Sequence, residues 1–426
     1  MNSRGKVMRS RDLLAGIVIV FALLCVWRTP THAESEESTH AEWHQWRGPN
    51  RDGISVDTGI RQNWPAEGPK ELWRIPLGEG FSSISISNGR AYTMYAKGED
   101  EIVVCLDAKT GKEIWRYLDD YLFENRQGGN GPRSTPTVDG DKVYVLSAYG
   151  RLVALDASTG TQLWDYDLTK AFESRMPQHG FATSPIVEGD LLLVEAGGTD
   201  GRAIIAFNKE NGNIVWNAQN DGPAYSSPIT VTTHDTRQTI FFTADGLVSV
   251  SPEDGGVYWR YTWHTSFDVN TATPIFISPD KIFISSGYDT GAAVVQIKES
   301  DGKFTACEVW RTRVMKNHFS SSVLHEGYLY GFDNAILKCI DANTGEEQWK
   351  VRGFGKGSLV YADGHFIVLG ESGNLALVEA AHTEYLEIAQ TQVLNGRCWT
   401  PPTVSGGKLY LRNHEELVCL DLSGQS

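Results

Sequence analysis

The sequence predicts an all-β fold, an eight-bladed β-propeller of four-stranded antiparallel blades in which a strand near the N-terminus completes the last blade. Three observations carry this. The phrase LDAxTGxxxW recurs, from Leu106 to Trp115 and from Leu155 to Trp164, with looser copies elsewhere. Period-two apolar stretches such as Val143-Tyr144-Val145-Leu146 and Leu191-Leu192-Leu193-Val194, bounded by Gly and Asp, favour strands over helices. A unit of four short strands cannot bury its faces alone, so its repetition implies packing around a common axis.

Residues 1–33 are a separate object. A basic opening (Arg4, Lys6, Arg9, Arg11) precedes an apolar run from Leu13 to Val26, and the stretch ends in Thr31-His32-Ala33. That is the three-part form of a secretory signal. It predicts cleavage near Ala33 and a periplasmic or secreted mature chain without an integral membrane span. Cys25 follows the bulky Leu24, a poor setting for lipid attachment. Residues 34–70 read as a leader and packing segment. Within it Glu34–His40 is polar, whereas Trp43 to Ser55 is too rich in aromatic and turn residues for a free linker. His40 and His44 stand four apart, where a solvated or capping role suits them better than a metal pair.

Residues 71–426 form the propeller. Its units open at Ser82-Ser83, Ser134-Thr135-Pro136, Thr183-Ser184-Pro185, Ser226-Ser227-Pro228, Ala272-Thr273-Pro274, Ser320-Ser321-Ser322, Gly357-Ser358 and Thr400-Pro401-Pro402. They close at Trp115, Trp164, Trp216, Trp259, Trp310, Trp349 and, degenerately, Leu386. Eight openings against seven closings leave one tryptophan to find. Lys70-Glu71-Leu72-Trp73 matches Lys112-Glu113-Ile114-Trp115, so Trp73 is expected on the outer strand of the last blade, joining the termini and removing an exposed edge.

The repeated residue types have physical reasons. Asp107, Asp156 and Asp341 can accept from amides of the following turn, and Gly111, Gly160 and Gly345 supply its positive φ. Each closing tryptophan buries a ring between blades and needs a partner for its indole N–H. Cys105, Cys339 and Cys419 occupy one repeat position, as small buried strand residues in separate cores; nothing in the sequence brings Cys307 and Cys398 together.

A formal net charge of −15 and the lack of any Lys/Arg cluster argue against nucleic acid as a partner. No nucleophile elbow, HExxH helix, Walker loop or dinucleotide glycine pattern stands in the required setting, so no catalytic residue and no metal ligand is assigned. Asp119-Asp120 reads as a solvated turn, and Gly128 to Pro132 as a loop over the channel. In four-stranded blades the innermost strand starts on the same face as the turn between the second and third strands, opposite the LDAxTG turns. Just upstream of the inner strands stand Phe81, Arg133, His179, Tyr225 and Asn270, then His318, Phe319, Lys356, Arg397 and Trp399; Tyr288 stands on a hairpin turn. Arg133, His179, His318, Lys356 and Arg397 suit an anion or carboxylate site, with Phe81, Tyr225 and Trp399 as stacking surfaces. Solvated loop residues at a channel mouth would look the same.

The LDAxTGxxxW phrase, the SxPxV openings and the eight units resemble the pyrroloquinoline-quinone-like propeller repeat superfamily, which holds quinoprotein alcohol dehydrogenases and BamB-like outer-membrane assembly proteins. The resemblance spans residues 71–422, and the Trp43-to-Ser55 phrase looks like that of secreted planctomycete-type members. It implies a monomeric, non-catalytic scaffold binding an envelope or extracellular protein, peptide or small ligand, with no cofactor. The alternative it implies is a quinoprotein oxidoreductase holding pyrroloquinoline quinone (PQQ) with Ca²⁺. Against the alternative, the chain lacks the adjacent-cysteine pair such enzymes typically carry.

Overall fold

Strands alternate between residues that face a neighbouring blade, and where both faces are covered the alternation gives way to continuous apolar runs. The second and third strands here are buried nearly throughout, as in Arg90–Lys97 and Asp100–Asp107, while the outer strand Glu113–Tyr121 is largely exposed. The computed structural model describes residues 42–424; residues 1–33, read from the sequence as a secretory signal, with Cys25 and Ala33 among them, and the Glu34–His40 stretch lie outside them. The described residues form eight four-stranded antiparallel sheets. In the first blade the inner strand Ser85–Ser87 leads outward through those three strands, and seven further blades repeat the order. No described helix is long and apolar enough to cross a membrane.

The ring closes as the sequence predicts. Glu71–Pro76 pairs with Glu416–Asp421 as the outer strand of the last blade, with Trp73 opposite Cys419. Thr403 Oγ1 then donates to Ile84 O across the last and first blades at 2.9 Å.

The repeated phrase is a device for docking one blade on the next. Asp107 Oδ1 accepts from the amides of Lys109 and Thr110, and Asp156 and Asp341 hold their turns in the same way. In four blades the indole lies on the turn glycine of the next blade and donates to a carbonyl there: Trp73 to Ala108 O, Trp115 to Ala157 O, Trp164 to Lys209 O, Trp310 to Ala342 O. Trp216 does the same with Gly255 and Pro252 O, whereas Trp349 donates to Ala381 O in a connection that has no glycine. Trp259 is the exception, because the next blade replaces the compact turn with the long hairpin Gly291–Ser300 and Lys303–Thr312; its indole donates to Gln238 Oε1 in its own blade.

Gly160 therefore meets two demands. Its φ is +72°, and a Cβ there would lie 2.6 Å from the Trp115 ring. Gly160→Ala should cost roughly 2–3 kcal/mol, combining left-handed backbone strain with overpacking. Gly140→Ala, at φ +57° with open space around it, should cost only the backbone part, about 1 kcal/mol. Urea unfolding of the pair isolates the packing contribution, and equal losses would refute it.

The seventh blade corrects the sequence reading. In every other blade the tryptophan stands just inside a bulge, as Trp115 opposite Cys105. The equivalent position is Ala389, opposite Leu377, not Leu386, which precedes the outer strand Glu387–Gln392. Trp64 packs on the same core as Ala389 and Val393. Among the described cysteines all are free: Cys105, Cys339, Cys398 and Cys419 are buried and Cys307 is exposed.

The SxP openings form a second docking device. Ser83 N donates to Thr135 Oγ1, Thr135 N to Ser184 Oγ, and Ser184 N to Ser227 Oγ, each between neighbouring blades at 2.9–3.0 Å.

Candidate functional site

The centre of the ring is filled from one face by the segment Trp43 to Ser55, which bonds to all eight blades. Trp43 exchanges backbone hydrogen bonds with Ile86 in the first blade, and His44 O accepts from Val138 N in the second. Arg51 reaches Ser184 O and Pro185 O in the third and Pro228 O in the fourth. The Trp46 indole donates to Thr273 Oγ1 in the fifth at 2.8 Å. Arg47 donates to Ser321 O and Ser322 O in the sixth. Gly53 and Ser55 pair with Tyr361 in the seventh, and Ser55 Oγ donates to Val404 O in the eighth. Glu42 and Asp57 bind the turns at Ser87-Asn88 and Gly407, on the face that carries the LDAxTG turns. The segment thus enters and leaves by that face.

The opposite face keeps a blind cup of about 260 Å³. Trp46 contributes to it from the central segment, and its walls include Phe81, Arg133, His179, Tyr225, Tyr288, His318, Phe319 and Trp399. Six residues that the sequence assigns to an anion site and its stacking surfaces thereby converge, Phe81, Arg133, His179, Tyr225, His318 and Trp399, together with Tyr288 and Phe319 from the same face. Lys356 and Arg397 do not line the cup. They contact its aromatic walls, the Lys356 ammonium 6.0 Å from the Phe319 ring centroid and the Arg397 guanidinium 4.4 Å over Trp399. Asn270 is a correction: its amide is turned inward, donating to Thr243 O and accepting from Ser286 Oγ, so it braces the loop. Trp46, Gln127, Ala182, Ser227, Val269 and Thr271 also line the cup, and the sequence reading did not name them as site residues.

The walls are a connected aromatic array. Phe81 stacks on Trp399 at 5.7 Å, Trp399 meets Phe319 at 4.5 Å, and His318 stands 5.0 Å from Tyr288. Arg133 lies 4.8 Å over Phe123 and 5.5 Å over Phe81, its fork held by Gly129 O and Gly131 O. It makes no ion pair with a described residue.

The family model described as outer membrane protein assembly factor BamB matches residues 99–351 and 333–425. The chain belongs to this family. A search of curated proteins finds no match. Among solved structures, BamB from Moraxella catarrhalis is 16% identical, with 83% of this chain and 99% of that one covered at a TM-score of 0.59. A europium-containing methanol dehydrogenase is 13% identical, with 89% of each chain covered at 0.65. A quinohemoprotein alcohol dehydrogenase from Comamonas testosteroni is 12% identical, with 91% of this chain and 81% of that one covered at 0.62. At these identities the structural likenesses establish the fold alone.

Electrostatics give the cup of this BamB-family propeller its chemical character. Burial, then the nearby Lys356 and His179, push His318 down to about 4, and burial with Arg133 lowers His179, so both imidazoles are neutral near pH 7. Burial lowers Arg133 to about 10, which leaves it a cation. Nδ1 of His179 and of His318 has no hydrogen-bond partner within the described residues. Ca²⁺ needs six to eight oxygen ligands, usually including carboxylates. No carboxylate or asparagine lines the cup, so its donor set does not fit the Ca²⁺ of a Ca²⁺–PQQ pair.

Proposed function

We propose that this BamB-family chain is a non-catalytic binding module acting outside the cytoplasm, and that its cup holds a small, flat, anionic ligand. The observation that carries the reading is Arg133, a largely buried guanidinium without an ion pair, set among stacked aromatic rings in a cup closed below by the central segment. A blind cup of about 260 Å³ suits a single ring-sized group rather than a threaded peptide. Aromatic walls supply stacking area, Arg133 offers donors to a carboxylate, and the neutral imidazoles of His179 and His318 can each donate or accept. The basic and apolar leader supports export.

Titration with 2-naphthoate, followed by tryptophan fluorescence, tests this. Saturable quenching is expected, and Arg133→Ala should weaken it roughly 10- to 100-fold through loss of a charge-assisted hydrogen bond. No saturable response, or an unchanged affinity in the variant, would refute the proposal. Saturable binding of PQQ together with Ca²⁺, accompanied by dye-linked alcohol oxidation, would replace it with the oxidoreductase reading.

A further inference from the structure

We infer that the cup continues outward onto an aromatic rim formed by Phe267 and Tyr288, so that its ligand is elongated, with an anionic group at Arg133, a flat body in the cup and a second apolar ring against Phe267. The inference rests on the ligand-binding reading above. Phe267 is 72% exposed and belongs to no hydrophobic cluster, although it is a large aromatic residue in a loop whose neighbours Val269 and Thr271 line the cup. Its backbone is left-handed at φ +66°, and Asp268 follows at φ +57°. Across from it Tyr288 and Asp289 adopt φ +52° and +60°. Bulky side chains rarely take this conformation, and such outliers persist where the surrounding structure imposes them, often at binding sites.

The surroundings impose it here. Trp263 is buried at one end of the loop, its indole donating to Ser286 Oγ at 3.1 Å, and Asn270 is buried at the other. Between these anchors the Phe267 ring meets Tyr288 edge-on at 6.1 Å, and Tyr288 itself lines the cup. The rim is thus continuous with the cup. Arg133 opens the second blade and Tyr288 belongs to the fifth, so a ligand touching both lies across the ring. An exposed ring held at a conformational cost gains its stabilisation when a ligand covers it.

Benzoate and biphenyl-4-carboxylate separate the two parts of the site by calorimetry. The wild-type chain should bind the biphenyl acid about tenfold more tightly than benzoate, the increment of one additional aromatic contact. Phe267→Gly should remove that increment, leave benzoate affinity unchanged and not lower the melting temperature, because glycine accepts positive φ without strain. Phe267→Tyr should preserve the increment. Equal affinities of the wild type for both acids, or a Phe267→Gly variant that keeps the difference or loses both ligands alike, would overturn the rim and leave the cup standing. Failure of the wild type to bind either acid would overturn the cup with it.

Discussion

Arg51→Met should destabilise the protein by about 3–5 kcal/mol, seen as a lower urea midpoint with the folded spectrum retained. The side chain is buried, and its guanidinium donates to Ser184 O and Pro228 O at 3.1 and 3.0 Å, to Pro185 O, and to Gln45 Oε1 at 2.9 Å. Methionine keeps the apolar stem and supplies none of these donors. Each buried acceptor left without a partner costs about 1–3 kcal/mol. Part of this is returned, since burial disfavours the charge and holds Arg51 down to about 9. The net loss stays large because the orphaned carbonyls belong to two blades as well as to the central segment. A loss below about 1 kcal/mol would show that the segment merely occupies the channel and does not tie the ring together.

The consequence reaches the cup. Trp46 is held by Thr273 and lies on the same short segment as Arg47 and Arg51, whose positive φ values of 59° and 58° fold it back on itself. A segment freed from its third- and fourth-blade contacts leaves the Trp46 ring poorly fixed. The Arg51→Met variant should therefore bind 2-naphthoate more weakly at a temperature where it is still folded.

What was legible in the sequence follows from where repetition constrains the chain. Eight copies of one unit overdetermine the blade count, and Trp73 could be placed because it completes a pattern set elsewhere. The same logic located one face, on which six of the residues just upstream of the inner strands, Phe81, Arg133, His179, Tyr225, His318 and Trp399, meet in the cup. It failed where the pattern carries no information. The seventh blade has a longer third-to-fourth connection without the turn glycine, so Leu386 was aligned where Ala389 stands. Asn270 occupies a mouth position, but its amide is needed inside the loop. Trp46 has no counterpart in the repeats; only packing places it in the cup.

Glu195→Gln should stabilise the protein by about 2–4 kcal/mol at pH 8.5 and have little effect near pH 4. Glu195 is buried at the end of the second strand of the third blade; its Oε1 accepts from Ala224 N at 2.9 Å and its Oε2 has no partner. Burial pushes the carboxyl up to about 8, with Asp221 adding repulsion and the Ala224 amide opposing it. An acid whose folded-state pKa exceeds its unfolded value binds more protons when folded. Its presence is therefore harmless below about pH 4.5, and stability falls as pH rises from there through about 8. Glutamine keeps the shape and the acceptor while removing the charge, so the variant's stability should decline less steeply over that window. Glu101, raised to about 7 by burial between Phe123 N and Ala148 N, contributes a slope of the same sign, so some decline should remain. The two carboxyls brace the loops that carry Tyr225 and Arg133 into the cup, which links the stability of the ring in alkali to the shape of its site. If urea unfolding across pH 4–9 gives parallel curves for Glu195→Gln and wild type, Glu195 is not the group that titrates.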